Sequence, residues 1–155
     1  MNSEISIKEI GYTEVVEFEK ELKSFLHMNL SENYPEYDVD ELICEFYEKM
    51  LRYSEDGSAV LLGAFDDDKM IGFHWGHEVV FLGKKRMHSY MNGINPKYRG
   101  NHIGSNFFRK LENIARERGI AEVEAFCRKA NPVAVNYHLH NGFEIESYRV
   151  VKKLD

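Results

Sequence analysis

Cysteine, proline and tryptophan are scarce in this chain of 155 residues, which holds two, three and one of them respectively. Two thiols cannot build a disulfide scaffold or a four-thiolate zinc site. Cys44, in a helical pattern, and Cys127, at the end of a strand pattern, read as buried thiols. No run approaches the roughly 20 apolar residues of a membrane span, and no apolar stretch follows the charged residues at the amino terminus. The sequence therefore predicts a cytoplasmic protein without a membrane partner. Low-complexity tracts are absent as well, and a hydrophobic share of 43% argues against disorder. The length suits one domain over residues 1–155.

A basic excess is also missing, since 20 Lys+Arg face 26 Asp+Glu for a net charge of −6. The deficit is uneven: residues 1–66 carry 5 basic and 16 acidic side chains, and residues 67–155 carry 15 and 10. With no dominant basic stripe, a nucleic-acid partner is disfavoured. The basic half suits an anionic ligand and the acidic half a cationic one. Glu14, Glu17, Glu21, Glu45 and Glu48 also fit solvated helix faces.

What is present is a regular alternation of elements. Ile5 to Ile10 alternates as a strand ended by Gly11, and Thr13 is placed to cap a helix carrying Val15, Phe18, Leu22, Phe25 and Leu26. A polar connection from Asn29 to Tyr37 precedes Asp38-x-x-Glu41, a capping box for a second helix with Leu42, Phe46, Met50 and Leu51. Strands follow at Ala59–Phe65 and Met70–Phe81 across an acidic turn, then another after Gly83 that runs to Ile94, giving an antiparallel meander. Ile103, Phe107, Phe108, Leu111, Ile114 and Ala115 share one helical face, stopped by Gly119. Glu122–Cys127 is a strand reached by a parallel crossover, Asn131-Pro132 opens the last helix, and Phe143–Lys153 closes the sheet. The order is β-α-α-β-β-β-α-β-α-β, an α/β (α+β) fold with a mixed, mostly antiparallel twisted sheet and helices on both faces.

Between the meander and the third helix lies Tyr98-Arg99-Gly100-Asn101-His102-Ile103-Gly104-Ser105. Glycine at 100 and 104 lets the backbone approach a ligand, and the helix aims its free N–H groups and positive dipole end at the turn. With Arg99 beside it, the segment is built to hold a phosphate. No Gly-Lys-Ser/Thr ending makes it a P-loop, and His102 and Ser105 break the dinucleotide spacing. The text from Ile94 to Ser105, together with Asn131-Pro132-Val133-Ala134 through Asn141-Gly142-Phe143, resembles the GNAT superfamily of acyl-CoA-dependent N-acyltransferases.

The resemblance implies that acetyl-CoA is the cosubstrate and that no metal takes part. It places pyrophosphate on the amides of Gly100, Asn101, His102, Ile103, Gly104 and Ser105, pantetheine against the backbone near Ile94, and a further contact at Asn131, which is an N-cap in its own right. Family members commonly have glycine where His102 stands, and a histidine is accommodated there at an ordinary φ. Where many relatives carry a proton-donating tyrosine this chain has His138, with Tyr137 just before it; on a helix the two diverge by about 100°, so one alone faces the thiolate. Glu78, and after it His88 and Tyr90, are candidates for the base. His74 and His77 fall on opposite strand faces and cannot pair. The implied activity is acetyl transfer to a primary amine, of a small cationic molecule or of a protein. A non-catalytic acyl-CoA-binding module is the alternative, and a homodimer through the final strand is left open.

Overall fold

The computed structural model describes residues 4–155. Five strands, β1 (Ile5–Ile10), β2 (Ala59–Asp66), β3 (Lys69–Phe81), β4 (Lys84–Ile94) and β5 (Val123–Ala125), lie side by side in chain order. The first four pair antiparallel, and β4 pairs with β5 in parallel. Helices α1 (Tyr12–Glu17), α2 (Glu19–Asn33) and α3 (Val39–Glu55) precede the meander, while α4 (Ile103–Glu117) and α5 (Pro132–His140) flank β5 in sequence.

The sheet is sandwiched, which explains why β2 is apolar on both faces. Leu61, Phe73, Trp75 and Met91 pack with Leu22, Leu26 and Met50 in one core; Val60, Leu62, Ile71 and Met87 pack with Phe107, Leu111 and Ile114 of α4 in the other. Helix α4 ends as its sequence requires. Gly119, at φ +72°, lets the Gly119 and Ile120 amides close on the Arg116 and Ala115 carbonyls. The same device at Gly142 ends α5 and turns Phe143 onto His138, with ring centroids 5.0 Å apart.

Several expectations change in detail. Gly11, not Thr13, is the N-cap of α1, and the Glu14 carboxylate accepts from its amide at 3.0 Å. The first helix breaks at Phe18, and α2 extends to Asn33, so much of the expected polar connection is helical. Asp38 caps α3, accepting from the Asp40 amide at 3.1 Å in place of the expected box with Glu41. Both cysteines are exposed rather than buried, Cys44 on α3 and Cys127 just beyond β5. Residues 143–155 form no strand and join no sheet. A β-prone pattern reports what a segment can pair with, and no neighbour pairs with this one. Among the described residues no helix is long and apolar enough to cross a membrane.

His74 is fully buried between Phe107 and Phe108, and burial pushes its pKa down to about 3. The unfolded chain takes up a proton at this histidine below its ordinary pKa of about 6.5, whereas the folded chain refuses it until far lower pH. The contribution is therefore complete above that ordinary value and is lost as the pH falls, at up to about 1.4 kcal/mol per pH unit. His77 and His88, both lowered by burial, act in the same sense. Urea titrations at pH 7.5, 6 and 5 are expected to show stability falling with pH, less steeply in His74→Gln; a flat profile would contradict the buried neutral ring.

Candidate active site

A single surplus residue shapes the centre of the sheet. Trp75 pairs with Met91 and Gly76 with Ser89, leaving Tyr90 as a bulge in β4. Bulges bend the strand that carries them and interrupt its ladder. Here β4 pairs with β5 only from Met87 to Ser89, opposite Val123 to Ala125, so the parting begins at the bulge. From Tyr90 to Ile94 the edge of β4 away from β3 has no strand partner. Open backbone groups along such an edge can take an extended ligand as an added strand.

The open edge leads into the glycine loop. A 3₁₀ turn at Pro96–Tyr98 is capped by Asn95, and Tyr98 is pinned by its hydroxyl donating to Asp66 at 2.6 Å. Asn101 donates to the Tyr98 carbonyl at 2.8 Å, and Gly100 takes φ +87°. His102 is the N-cap of α4 at φ +58°, ψ 19°, and supplies no side-chain cap. Its backbone is left-handed and not ordinary. Glycine is common at this place because the position is costly for a residue with a Cβ, by about 1 kcal/mol. The first amides of α4 are thus uncapped by any side chain and directed outward, at the positive end of the helix dipole. Arg99 flanks them, donating to the Ile94 carbonyl at 3.3 Å and pairing with Glu32 at 3.2 Å.

Helix α5 sits against the same corner. The two sequence candidates on it point apart, as their helical offset requires. The Tyr137 hydroxyl is buried beside Gly104 and Ser105 without a well-formed hydrogen bond, and burial raises its pKa, partly offset by Ser105. His138 instead turns toward Cys127, with Nδ1 2.8 Å from the Ala134 carbonyl and 3.3 Å from the Cys127 sulfur. Its ring packs on Phe108 of α4, so it belongs to the α4 side of the sheet. Because a carbonyl only accepts, Nδ1 carries the hydrogen and Nε2 is the nitrogen left to exchange protons. Asn131 has both amide ends engaged: Oδ1 caps the Ala134 amide at 3.1 Å, and Nδ2 donates to Asn33 at 2.8 Å. This makes it a strut between α5 and α2, and the cofactor contact expected of it is not needed to explain it.

Of the expected bases, Glu78 lies on the α4 side of the sheet and His88 on the side toward α3. Glu78 lies opposite Met87, six positions along β3 from Gly72, the partner of Ile94. His88 stands equally far along β4 from Ile94, so distance from the glycine loop does not separate the two. Burial would raise the Glu78 pKa, but hydrogen bonds from Arg118 and Lys85 outweigh this and hold it below the ordinary carboxylate range. A carboxylate so paired is a poor base, and Glu78 is set aside.

His88 stands at the point of parting. It is buried, its Nδ1 lies 3.0 Å from Glu124 of β5, and its ring neighbours His77, Tyr90 and Phe126. Burial lowers its pKa, and the Glu124 carboxylate opposes that shift. Arg86 holds Glu124 from below at 3.2 Å. Sequence reasoning missed Glu124 as His88's partner, because its place depends on the β4–β5 register. Alternation within Glu122–Cys127 could have set it on the face opposite Val123 and Ala125. His74 and His77 do lie on opposite faces, the first bonded to Ser89 at 2.9 Å and the second against Tyr53 of α3.

The family model described as acetyltransferase (GNAT) family matches residues 18–143. The chain belongs to the GNAT acetyltransferase family. Membership makes it an enzyme, an acetyl-CoA-dependent N-acetyltransferase. A spermidine N(1)-acetyltransferase of Thermoplasma acidophilum is 27% identical over 121 residues, covering 73% of this chain and 71% of that protein. Among solved structures, the PaiA N-acetyltransferase of Thermoplasma acidophilum in complex with coenzyme A superposes with a TM-score of 0.77 at 22% identity, covering 94% of this chain and 93% of that one. An aminoglycoside N-acetyltransferase, AAC(6')-Iy with CoA, gives 0.71 at 17% identity, over 100% and 97% of the two chains. This GNAT enzyme therefore shares the fold of relatives solved with CoA.

Proposed function

We propose that this enzyme moves the acetyl group of acetyl-CoA directly to the primary amine of a small cationic acceptor. The observation that carries the reading is the parting of β4 from β5 at the Tyr90 bulge, with His88–Glu124 on one face and His138 on the other. Pyrophosphate rests on the uncapped amides of Ile103, Gly104 and Ser105 beside Arg99, and pantetheine adds to the open edge from Tyr90 to Ile94. The thioester then lies between the two histidines.

An alkylammonium with a reference pKa of about 10.4 is almost wholly protonated at neutral pH, so a proton must leave before nitrogen attacks. His88, kept neutral by burial, is suited to receive it, directly or through one water. The nitrogen bonds to the carbonyl carbon, the oxyanion meets a free backbone N–H of the β4 edge, the nitrogen sheds its second proton to solvent, and the C–S bond breaks. The departing thiolate takes a proton from Nε2 of His138. Since Nδ1 already donates to Ala134, Nε2 can deliver that proton only when the ring is the imidazolium.

The cationic acceptor follows from the acidic first half and from the rings on the α3 side. Tyr34, Phe46, Tyr53 and Tyr90 lie on or near that wall, and Arg128 of the same chain already stacks over Tyr34 at 4.7 Å while pairing with Glu36 at 2.6 Å. Relatives named for spermidine and for aminoglycosides support the same class. Acetyl-CoA turnover, followed by thiol release across polyamine, aminoglycoside, amino acid and acidic acceptors, tests it. Preference for acidic acceptors would overturn the reading.

Glu124→Gln gives a finer check on the base. Removing the carboxylate that lifts the His88 pKa is expected to move the acid limb of kcat/KM to lower pH and to reduce the plateau on the order of tenfold. An unmoved limb would take His88 out of the chemistry.

A further inference from the structure

Arg86 holds three carboxylates with one guanidinium. Its Nε donates to Glu122 at 2.6 Å, its Nη2 to Glu146 at 2.6 Å, and its Nη1 to both Glu146, at 2.9 Å, and Glu124, at 3.2 Å. The fork on Glu146 is bidentate, so Nη1 is divided and Glu124 receives the longer of its two bonds. The Arg86 side chain is only 10% exposed and lies over the Phe81 ring at 4.2 Å, which keeps the guanidinium where the three acids compete for it.

Glu124 is the acid for which that division matters. Its Oε2 accepts from Arg86, and its Oε1 stands 3.0 Å from Nδ1 of His88, the residue aligned with it across the β4–β5 ladder. Around the same ring stand His77 of β3, Tyr90 of β4, and Phe126 beyond β5, with the Arg149 guanidinium over Phe126 at 5.5 Å. From α3, Tyr53 and Asp56 act on His77, and Glu45 acts on Tyr90. His77 carries no charge near neutral pH, since burial pushes its pKa down to about 4. Glu124 is thus the group that opposes burial at His88, and how firmly it accepts from the ring depends on how much of it Arg86 engages.

We propose that Glu146 is a positioning residue for His88, acting through Arg86 and Glu124. By occupying both Nη atoms of Arg86 it holds Nη1 back from Glu124 and leaves that carboxylate to bind the histidine. An Nδ1–H held on Glu124 turns Nε2 outward as the nitrogen that takes up a proton. The effect of Glu146 on turnover rests on His88 being the base proposed above.

Proton NMR titration of the histidine rings in the full chain tests this, with the His88 signal identified by its loss in His88→Gln. Glu146→Gln is expected to lower the His88 midpoint by about half a pH unit, because Nη1 then closes on Glu124 and weakens its hold on the ring. Glu122→Gln takes an equal charge from Arg86 but releases only Nε, and is expected to move the midpoint less than about half as far. The two glutamates are 58% and 50% exposed, so melting temperatures are expected to stay near that of the parent. A midpoint unmoved or raised in Glu146→Gln, or an equal fall in both variants, which would mark a bare loss of charge, overturns the proposal. The acid limb of kcat/KM is expected to follow the midpoint downward. A midpoint that falls while the limb stays in place supports the positioning by Glu146 and overturns the role of His88 as base.

Discussion

His138→Phe is expected to lower kcat by about 10²–10⁴, the range for removing a positioned acid or base, while the KM for acetyl-CoA changes little. The expectation rests on where the two neighbours on α5 point. His138 is aimed at Cys127, two residues beyond the last β5 residue paired with β4, and its Nδ1 is fixed on the Ala134 carbonyl. Phenylalanine preserves the contacts with Phe108 and Phe143 and removes only the exchangeable nitrogens. Tyr137→Phe is expected to cost less than about tenfold, because that hydroxyl is buried against Gly104 and has no clear route to sulfur. Steady-state thiol release with a responsive amine measures both. Equal and negligible effects would rule out acid catalysis by either side chain and leave protonation of the thiolate to solvent.

Gly104→Glu is expected to weaken acetyl-CoA binding by about a hundredfold or more. Two unit charges about 4 Å apart at an effective dielectric near 20 repel by roughly 4 kcal/mol, so partial solvation still leaves a large loss. Charge is not the whole of it. A Cβ at 104 would stand 2.5 Å from the Tyr137 hydroxyl oxygen, so any side chain there must also move that ring. The double variant Gly104→Ala/Tyr137→Phe keeps the methyl, relieves the contact and adds no charge; it is expected to bind within about tenfold of the parent. Titration calorimetry with acetyl-CoA, accompanied by melting curves, separates the electrostatic loss from misfolding. Unchanged affinity in Gly104→Glu would remove the loop from the pyrophosphate site.

The parts legible in the sequence are those fixed by local rules. The face of α4, the Asp38 cap and the three-strand meander follow from spacing and capping within a few residues, and all three stand where the pattern puts them. The parts not legible depend on register or on a single dihedral. Glu124 becomes the partner of His88 only because β4 and β5 align at that residue, and Glu78 is engaged by Arg118 and Lys85 only because the fold brings both to it. The left-handed backbone at His102 is invisible in a residue type that usually avoids it. The segment after α5 reads as a strand for a sound reason, since its composition suits one, but composition does not supply the neighbour a strand needs.

The surplus residue at Tyr90 has a cost that falls on folding and a return that falls on turnover. Every amide and carbonyl left open from there to Ile94 is a sheet hydrogen bond forgone. A chain lacking the extra residue could zip β4 to β5 further and gain rigidity. It would then have nowhere for a thioester to lie between two histidines. Selection for a more stable version of this protein would therefore be expected to act anywhere except at the centre of its sheet, where a flaw in the ladder is the aperture through which the chemistry passes.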